Sequence, residues 1–150
     1  MYRDPASGGV PADQPPPKLF GPMLIAADFA ATLRFYQVTL GLDPSSGPWG
    51  PPYAELTSEG CRLLILDGSF WVSSGAPGIP PAPEPCDTVV LAIQVGDVDA
   101  DHRRLSAAGV AFVQPPADRP RMGLRNALLR DPDGRLVELT TPIAPKPRPA

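Results

Sequence analysis

The stretch DPDGRLVELTTP, Asp131 to Pro142, reads as a tight turn, a strand and a stop. Asp-Pro-Asp-Gly is turn chemistry, and the apolar residues after it alternate as a strand requires. Within the strand, Glu138 stands between Val137 and Leu139. A carboxylate in such a strand is costly to bury unless something pairs with it, so Glu138 is a candidate for a role. The same turn-and-strand grammar recurs upstream as SEGCRLLIL, where acid and glycine again precede an aliphatic run.

Working outward, the echo extends to what precedes each turn. LIAADFAATLRFYQVTLGL and AIQVGDVDADHRRLSAAGV each read as apolar strand, aspartate, helix, glycine. Asp28 and Asp97 fall where a carboxylate caps free helix N–H groups. Gly41 and Gly109 fall where a helix ends in a left-handed residue. Matching landmarks are offset by 68 to 74 residues, which marks an internal repeat of a strand–helix–strands unit. The apolar helix faces are Phe29, Leu33, Tyr36 and Leu40 in the first unit. In the second they are Val98, His102 or Leu105, and Ala108.

Twenty-three prolines punctuate the chain. They divide it into a disordered Pro-rich tail (1–17), a first module (18–72), a Pro-rich linker (73–87), a second module (88–143) and a disordered tail (144–150). Hydrophobic residues make up 43% of the 150, enough for a core, and the net charge of −3 gives no basic footprint for nucleic acid. No apolar run approaches a membrane span. The N-terminus lacks the basic start and apolar stretch of a secretory signal, which points to the cytoplasm. Cys61 and Cys86 stand apart, with no metal-type spacing, and are expected to be free thiols.

The aspartate–helix–FYQVTLGL segment, VGDVDADHRRLSAAGV and RDPDGRLVEL, in this order, resemble the vicinal oxygen chelate superfamily. That group includes glyoxalase I, extradiol dioxygenases, fosfomycin-resistance enzymes and bleomycin-resistance proteins. The resemblance covers about residues 18 to 143. It implies an α+β fold of two βαβββ modules whose paired, curved sheets surround a cavity. It also implies metal ligands on the first strand of each module and near the end of the last. The first-strand positions are Gly21 and Val90, and the first-module counterpart of Glu138 is Leu64 or Ile65. None of these can ligate, and Glu138 alone remains. His102, the only histidine, lies among charged helix neighbours and reads as solvated. No metal and no other cofactor is expected.

Alternation places Val89, Leu91, Ile93 and Val95 against the helix, with Val90, Ala92 and Gln94 on the cavity floor. Gly21, Met23 and Ile25 are the first-module equivalents. Trp49, Tyr53, Phe70 and Trp71 are aromatics suited to a cavity mouth, the last two opening the linker, and Met122 offers an adaptable apolar wall. Glu138 faces the cavity to bind a ligand, or pairs structurally with Arg125 or Arg121. No nucleophile with a histidine partner stands out. The expectation is a non-enzymatic binder of a bulky, partly aromatic small molecule, of the antibiotic-resistance type, and a homodimer. The expected ligand-binding residues are Trp49, Tyr53, Phe70, Trp71, Val90, Met122, Arg125 and Glu138, with no catalytic residue. The alternative is a lyase, isomerase or dioxygenase of the same superfamily acting through Glu138, with or without metal; a third reading is a structural or regulatory dimer whose cavity is filled by its own side chains.

Overall fold

The structure, a computed structural model, describes residues 21–44, 51–75 and 89–143. Both expected tails, most of the expected linker, Trp49 and Cys86 lie outside the described residues.

The chain folds as α+β in two units. The first runs β1 (Met23–Ala26), α1 (Phe29–Arg34), β2 (Tyr53–Ser58), β3 (Cys61–Asp67) and α2 (Gly68–Ser73). The second runs β4 (Leu91–Gln94), α3 (Val98–Ala107), β5 (Phe112–Arg119), β6 (Leu124–Arg130) and β7 (Leu136–Pro142). The sheets are ordered β1-β3-β2 and β4-β7-β6-β5. In each, the first strand lies parallel beside the last, and the remaining pairs are antiparallel. The second unit is thus a whole βαβββ module. In the first, the strand matching β5 is reduced to an isolated bridge between Pro44 and Leu56, where a proline cannot donate to a ladder.

The helix signals act as read. Asp28 accepts from the Ala31 N–H at 2.9 Å and Asp97 from the Ala100 N–H at 3.0 Å. Gly41 and Gly109 have φ of 80° and 88°, the left-handed conformation that ends both helices. The first helix does not run uniformly to Gly41: Phe35–Thr39 is a π-helical turn, in which the Leu40 N–H reaches back five residues to the Phe35 carbonyl at 2.9 Å. Two details of α3 differ from expectation. Ala108 is exposed because the helix ends at Ala107 and only Val98 and Leu105 turn fully inward. His102 is half-buried, its ring edge-on to Phe112 with centroids 4.5 Å apart; its neighbours are charged, but the imidazole packs on β5.

One core spans both units. Ala54, Leu56, Leu63 and Ile65 of the first sheet join Leu129, Val137 and Leu139 of the second, with Phe29, Phe35, Tyr36 and Leu105 from the helices. Leu91, Ile93 and Val95 pack against it as expected. Val89 does not: it precedes β4 and is 77% exposed.

A polar joint completes the contact. The Asp131 side chain is fully buried. Its Oδ2 accepts from the Tyr36 hydroxyl at 2.8 Å and from Arg135 Nη1 at 2.9 Å, and its Oδ1 from the N–H groups of Asp133 and Arg135, both at 2.9 Å. Asp133 accepts from the Ala27 N–H and the Thr32 hydroxyl, both at 3.3 Å, and Arg135 also donates to the Ile25 carbonyl. Burial, with the Asp131 carboxylate beside it, pushes the Tyr36 phenol far above the usual tyrosine range. Burial works to lower the Arg135 pKa, but its bonds to Asp131 and Asp133 outweigh this and raise it. The turn that opened the sequence reading is therefore where the second unit grips β1 and α1 of the first.

Candidate functional site

Since the shared core takes one face of each sheet, alternation assigns the remaining side chains to the opposite faces. On the first sheet these are Met23, Ile25, Tyr53, Glu55, Leu64 and Leu66. On the second they include Ala92, Gln94, Asn126, Leu128, Glu138 and Thr140. Glu138 accordingly points away from Val137 and Leu139, which are 0% and 1% exposed in the core.

Glu138 belongs to a polar row across the second sheet. Arg119 Nε donates to Asn126 Oδ1 at 3.1 Å, and Asn126 Nδ2 donates to Glu138 Oε1 at 2.6 Å. Asn126 is buried. Beside it on β7, opposite in register, Thr140 has a buried hydroxyl with no partner among the described residues. On the first sheet the buried acid is Glu55, with the Tyr53 hydroxyl at 3.4 Å and Arg62 Nε at 3.5 Å. Burial and the neighbouring Glu55 raise the Tyr53 pKa.

The expected site residues separate. Glu138 has the orientation anticipated, but neither Arg125 nor Arg121 is its partner. Arg125 is turned toward the helix, where it donates to Asp99 at 2.7 and 2.8 Å and to Asp118 at 2.8 Å. These hydrogen bonds hold the Asp99 carboxyl below its ordinary range and raise Arg125 further. Tyr53 begins β2 next to Glu55. Phe70 and Trp71 lie not on an extended linker but in α2, which Asp67 caps by accepting from the N–H groups of Ser69 at 2.9 Å and Phe70 at 3.2 Å. Val90 is 40% exposed just ahead of β4, and Met122 is 65% exposed in the β5–β6 turn. Asn126, Arg119, Thr140 and Glu55 were not singled out in the sequence. The signal available was alternation within LRNALLR, which sets Asn126 on the face opposite Ala127 and Leu129.

The metal position implied by the family resemblance does not fit a metal. Glu138 is paired in register with Ala92 and Leu128, and one of its oxygens is taken by Asn126. The matching residue of the first sheet is Leu64, since Met23 and Glu55 flank it as Ala92 and Leu128 flank Glu138; Ile65 is in the core. At Gly21 a Cβ would strike the Arg62 carbonyl oxygen, so no ligating side chain can stand there without moving the backbone. Among the described residues no group of three or more His, Cys, Asp or Glu side chains could hold a metal ion.

A cavity of about 710 Å³ opens between the β2–β3 hairpin and β4. Leu42, Leu56, Leu63 and Ile93 make it apolar, while Arg62 and Glu59 give it charge. Ala92 and Gln94, both expected on a cavity floor, line it; they are the register partners of Glu138 and Thr140. Val90, Tyr53, Phe70, Trp71, Met122, Arg125 and Glu138 are not among its lining residues.

Two units of the βαβββ kind, each with its first strand parallel beside its last and the first unit short of one strand, define a class. A sequence profile of the Glyoxalase/Bleomycin resistance protein/Dioxygenase superfamily matches residues 19–139, and the chain belongs to that superfamily. Among solved structures it is similar to a glyoxalase/bleomycin resistance protein/dioxygenase from Nocardioides, at 25% identity and a TM-score of 0.69, covering 93% of this chain and 92% of the other. It is also similar to TnmS3, an antibiotic binding protein from Streptomyces sp. CB03234, at 25% identity and a TM-score of 0.62, covering 86% and 98%. A lactoylglutathione lyase from Agrobacterium tumefaciens, at 23% identity and a TM-score of 0.61 over 85% and 95%, shares the fold. No curated protein matches the chain.

Proposed function

We propose that the protein binds and sequesters a bulky, partly aromatic small molecule, as an antibiotic-resistance-type binder, without converting it. The observation that carries this reading is a largely apolar cavity whose lining carboxylate, Glu59, is exposed in the β2–β3 turn, while Glu138, one strand away beside Ala92, is held by Asn126 with no histidine or second carboxylate bonded to it among the described residues. Proton transfer needs an acceptor and a group to manage the developing charge, whereas binding needs an apolar enclosure and a few fixed polar atoms. Similarity to an antibiotic binding protein supports the same reading. Tyr53, Phe70, Trp71, Val90 and Met122, and Trp49 with them, are proposed to contact the ligand beyond the cavity itself.

We further propose a cytoplasmic homodimer. The first strands β1 and β4 are both sheet edges, and a second copy placing one against the other would cover them. Sedimentation of a monomer at tens of micromolar would remove this part of the proposal.

The deciding experiment is calorimetric titration with a panel of aromatic natural products, followed by mass analysis of the recovered compound. Saturable binding with the compound unchanged is expected. Chemical conversion that is lost in Glu138→Gln would replace the binder with the alternative, a lyase, isomerase or dioxygenase using Glu138 as its base.

A further inference from the structure

We infer that the ligand presents a hydrogen-bond donor, an ammonium or a hydroxyl on its aromatic body, to the second oxygen of Glu138. The inference rests on the binding reading above and specifies its ligand. It follows from the order of donors and acceptors across β5, β6 and β7.

A guanidinium has only N–H groups to offer. The Asn126 atom facing Arg119 at 3.1 Å must therefore be the carbonyl oxygen, which turns the amide nitrogen onto Glu138 at 2.6 Å. A flipped amide would set donor against donor at Arg119 and oxygen against oxygen at Glu138. Asn126 is only 6% exposed, so water cannot readily repair such an error. The row thus has one allowed polarity, and it leaves the carboxylate as an acceptor. Oε1 is occupied, and Oε2 has no partner among the described residues.

Two neighbours favour a ligand at that oxygen. Ala92, beside Glu138 in register, carries only a methyl and lines the cavity, so a ligand body in the cavity can reach across it. Thr140, on the same face and next to Asn126, holds a buried hydroxyl without a partner among the described residues, which can donate or accept as an incoming group requires. Arg119 does not bond the carboxylate itself: it stands on β5, two strands from β7, and reaches Glu138 only through the Asn126 amide, which leaves Oε2 open to a donor.

Four naphthalenes test the inference: 1-naphthylmethylamine, 1-naphthalenemethanol, 1-methylnaphthalene and 1-naphthoate, each titrated calorimetrically into the wild type, Glu138→Gln and Asn126→Leu. Wild type should bind the amine at least about tenfold more tightly than the methyl compound, the alcohol between them and the carboxylate weakest. Glu138→Gln should bring the amine within about threefold of the alcohol, while the methyl compound binds as before. Asn126→Leu frees the carboxylate from its fixed orientation and should shrink the amine preference with Glu138 still present. A carboxylate bound as tightly as the amine by wild type, or an unchanged amine preference in Glu138→Gln, overturns the inference and leaves the binding reading standing. Failure of all four to bind wild type overturns the binding reading, and the inference with it.

Discussion

Between β2 and β3 the chain reverses through Glu59 and Gly60, with φ of 45° and 84°, and both residues are exposed. Between β6 and β7 it reverses through Asp131 to Gly134, again with a glycine φ of 84°, but here the first carboxylate is sealed inside the protein. The two turns occupy equivalent places in a repeated unit. The glycine does the same work in both, since each backbone needs a left-handed residue before the last strand. The acid does not. Glu59 lies at the cavity, whereas its counterpart Asp133 accepts from Ala27 and Thr32 of the first unit, and Asp131, two residues earlier, gathers Tyr36, Arg135 and two backbone N–H groups into the joint between the units. Both turns keep a left-handed glycine, but the first is a two-residue reversal between Ser58 and Cys61, whereas the second takes five residues between Arg130 and Leu136 and uses its extra length to carry carboxylates into the joint.

The sharpest way to break this comparison is Asp131→Ala. It strands a buried hydroxyl, a half-buried guanidinium and two N–H groups, and should cost about 3–5 kcal/mol in urea unfolding. A loss under about 1 kcal/mol would mean that the joint holds nothing together. Tyr36→Phe removes one hydrogen bond to a charged group and should cost about 2 kcal/mol. It should also change the alkaline limb of stability. The folded phenol keeps its proton beyond the ordinary tyrosine value of 10.0, so above that pH the unfolded chain ionises first. The Tyr36 contribution is whole below about pH 10 and declines as the pH rises further. Unfolding midpoints measured from about pH 8 to 11 should fall less in Tyr36→Phe than in wild type.

Gly60→Ala and Gly134→Ala sharpen the other half of the comparison. Open space surrounds the Cβ position at both, so each should cost only the left-handed backbone strain, about 1–2 kcal/mol, and the two costs should agree. A much larger loss at Gly134, seen in the same urea titration, would mean that the joint depends on the turn's exact path. The smallest effect is expected for Glu59→Ala, within about 0.5 kcal/mol of wild type.

What the sequence made legible were features carried by neighbours along the chain. Asp28 and Asp97 cap helices three residues away, Gly41 and Gly109 end them, and alternation sends Val137 and Leu139 inward and Glu138 out. The repeat of these marks defines a strand–helix–strands unit, and the family resemblance supplies its βαβββ order. What it left open depended on which strand lies beside which. Arg125 reads from the sequence, with Arg121, as one alternative partner for Glu138, but Asp99 on α3 and Asp118 on β5 claim it. Asn126 was overlooked because its link to Glu138 exists only once β6 and β7 pair. Leu64 and Ile65 could be told apart only by register. Phe70 and Trp71 looked like the start of a linker because the prolines behind them outweighed a short helix that one aspartate caps.

Gly21 limits what can be built at the edge of the first sheet. β1 and β3 lie so close there that the space for a side chain is taken by the Arg62 carbonyl oxygen, and φ at this glycine is 145°, which other residues rarely adopt. A histidine or glutamate cannot be added at this point by one substitution, because the two strands must first separate. Gly21→His alone should therefore destabilise the protein without building a metal site, and a redesign that wants a ligand at this corner must first move the backbone at Arg62.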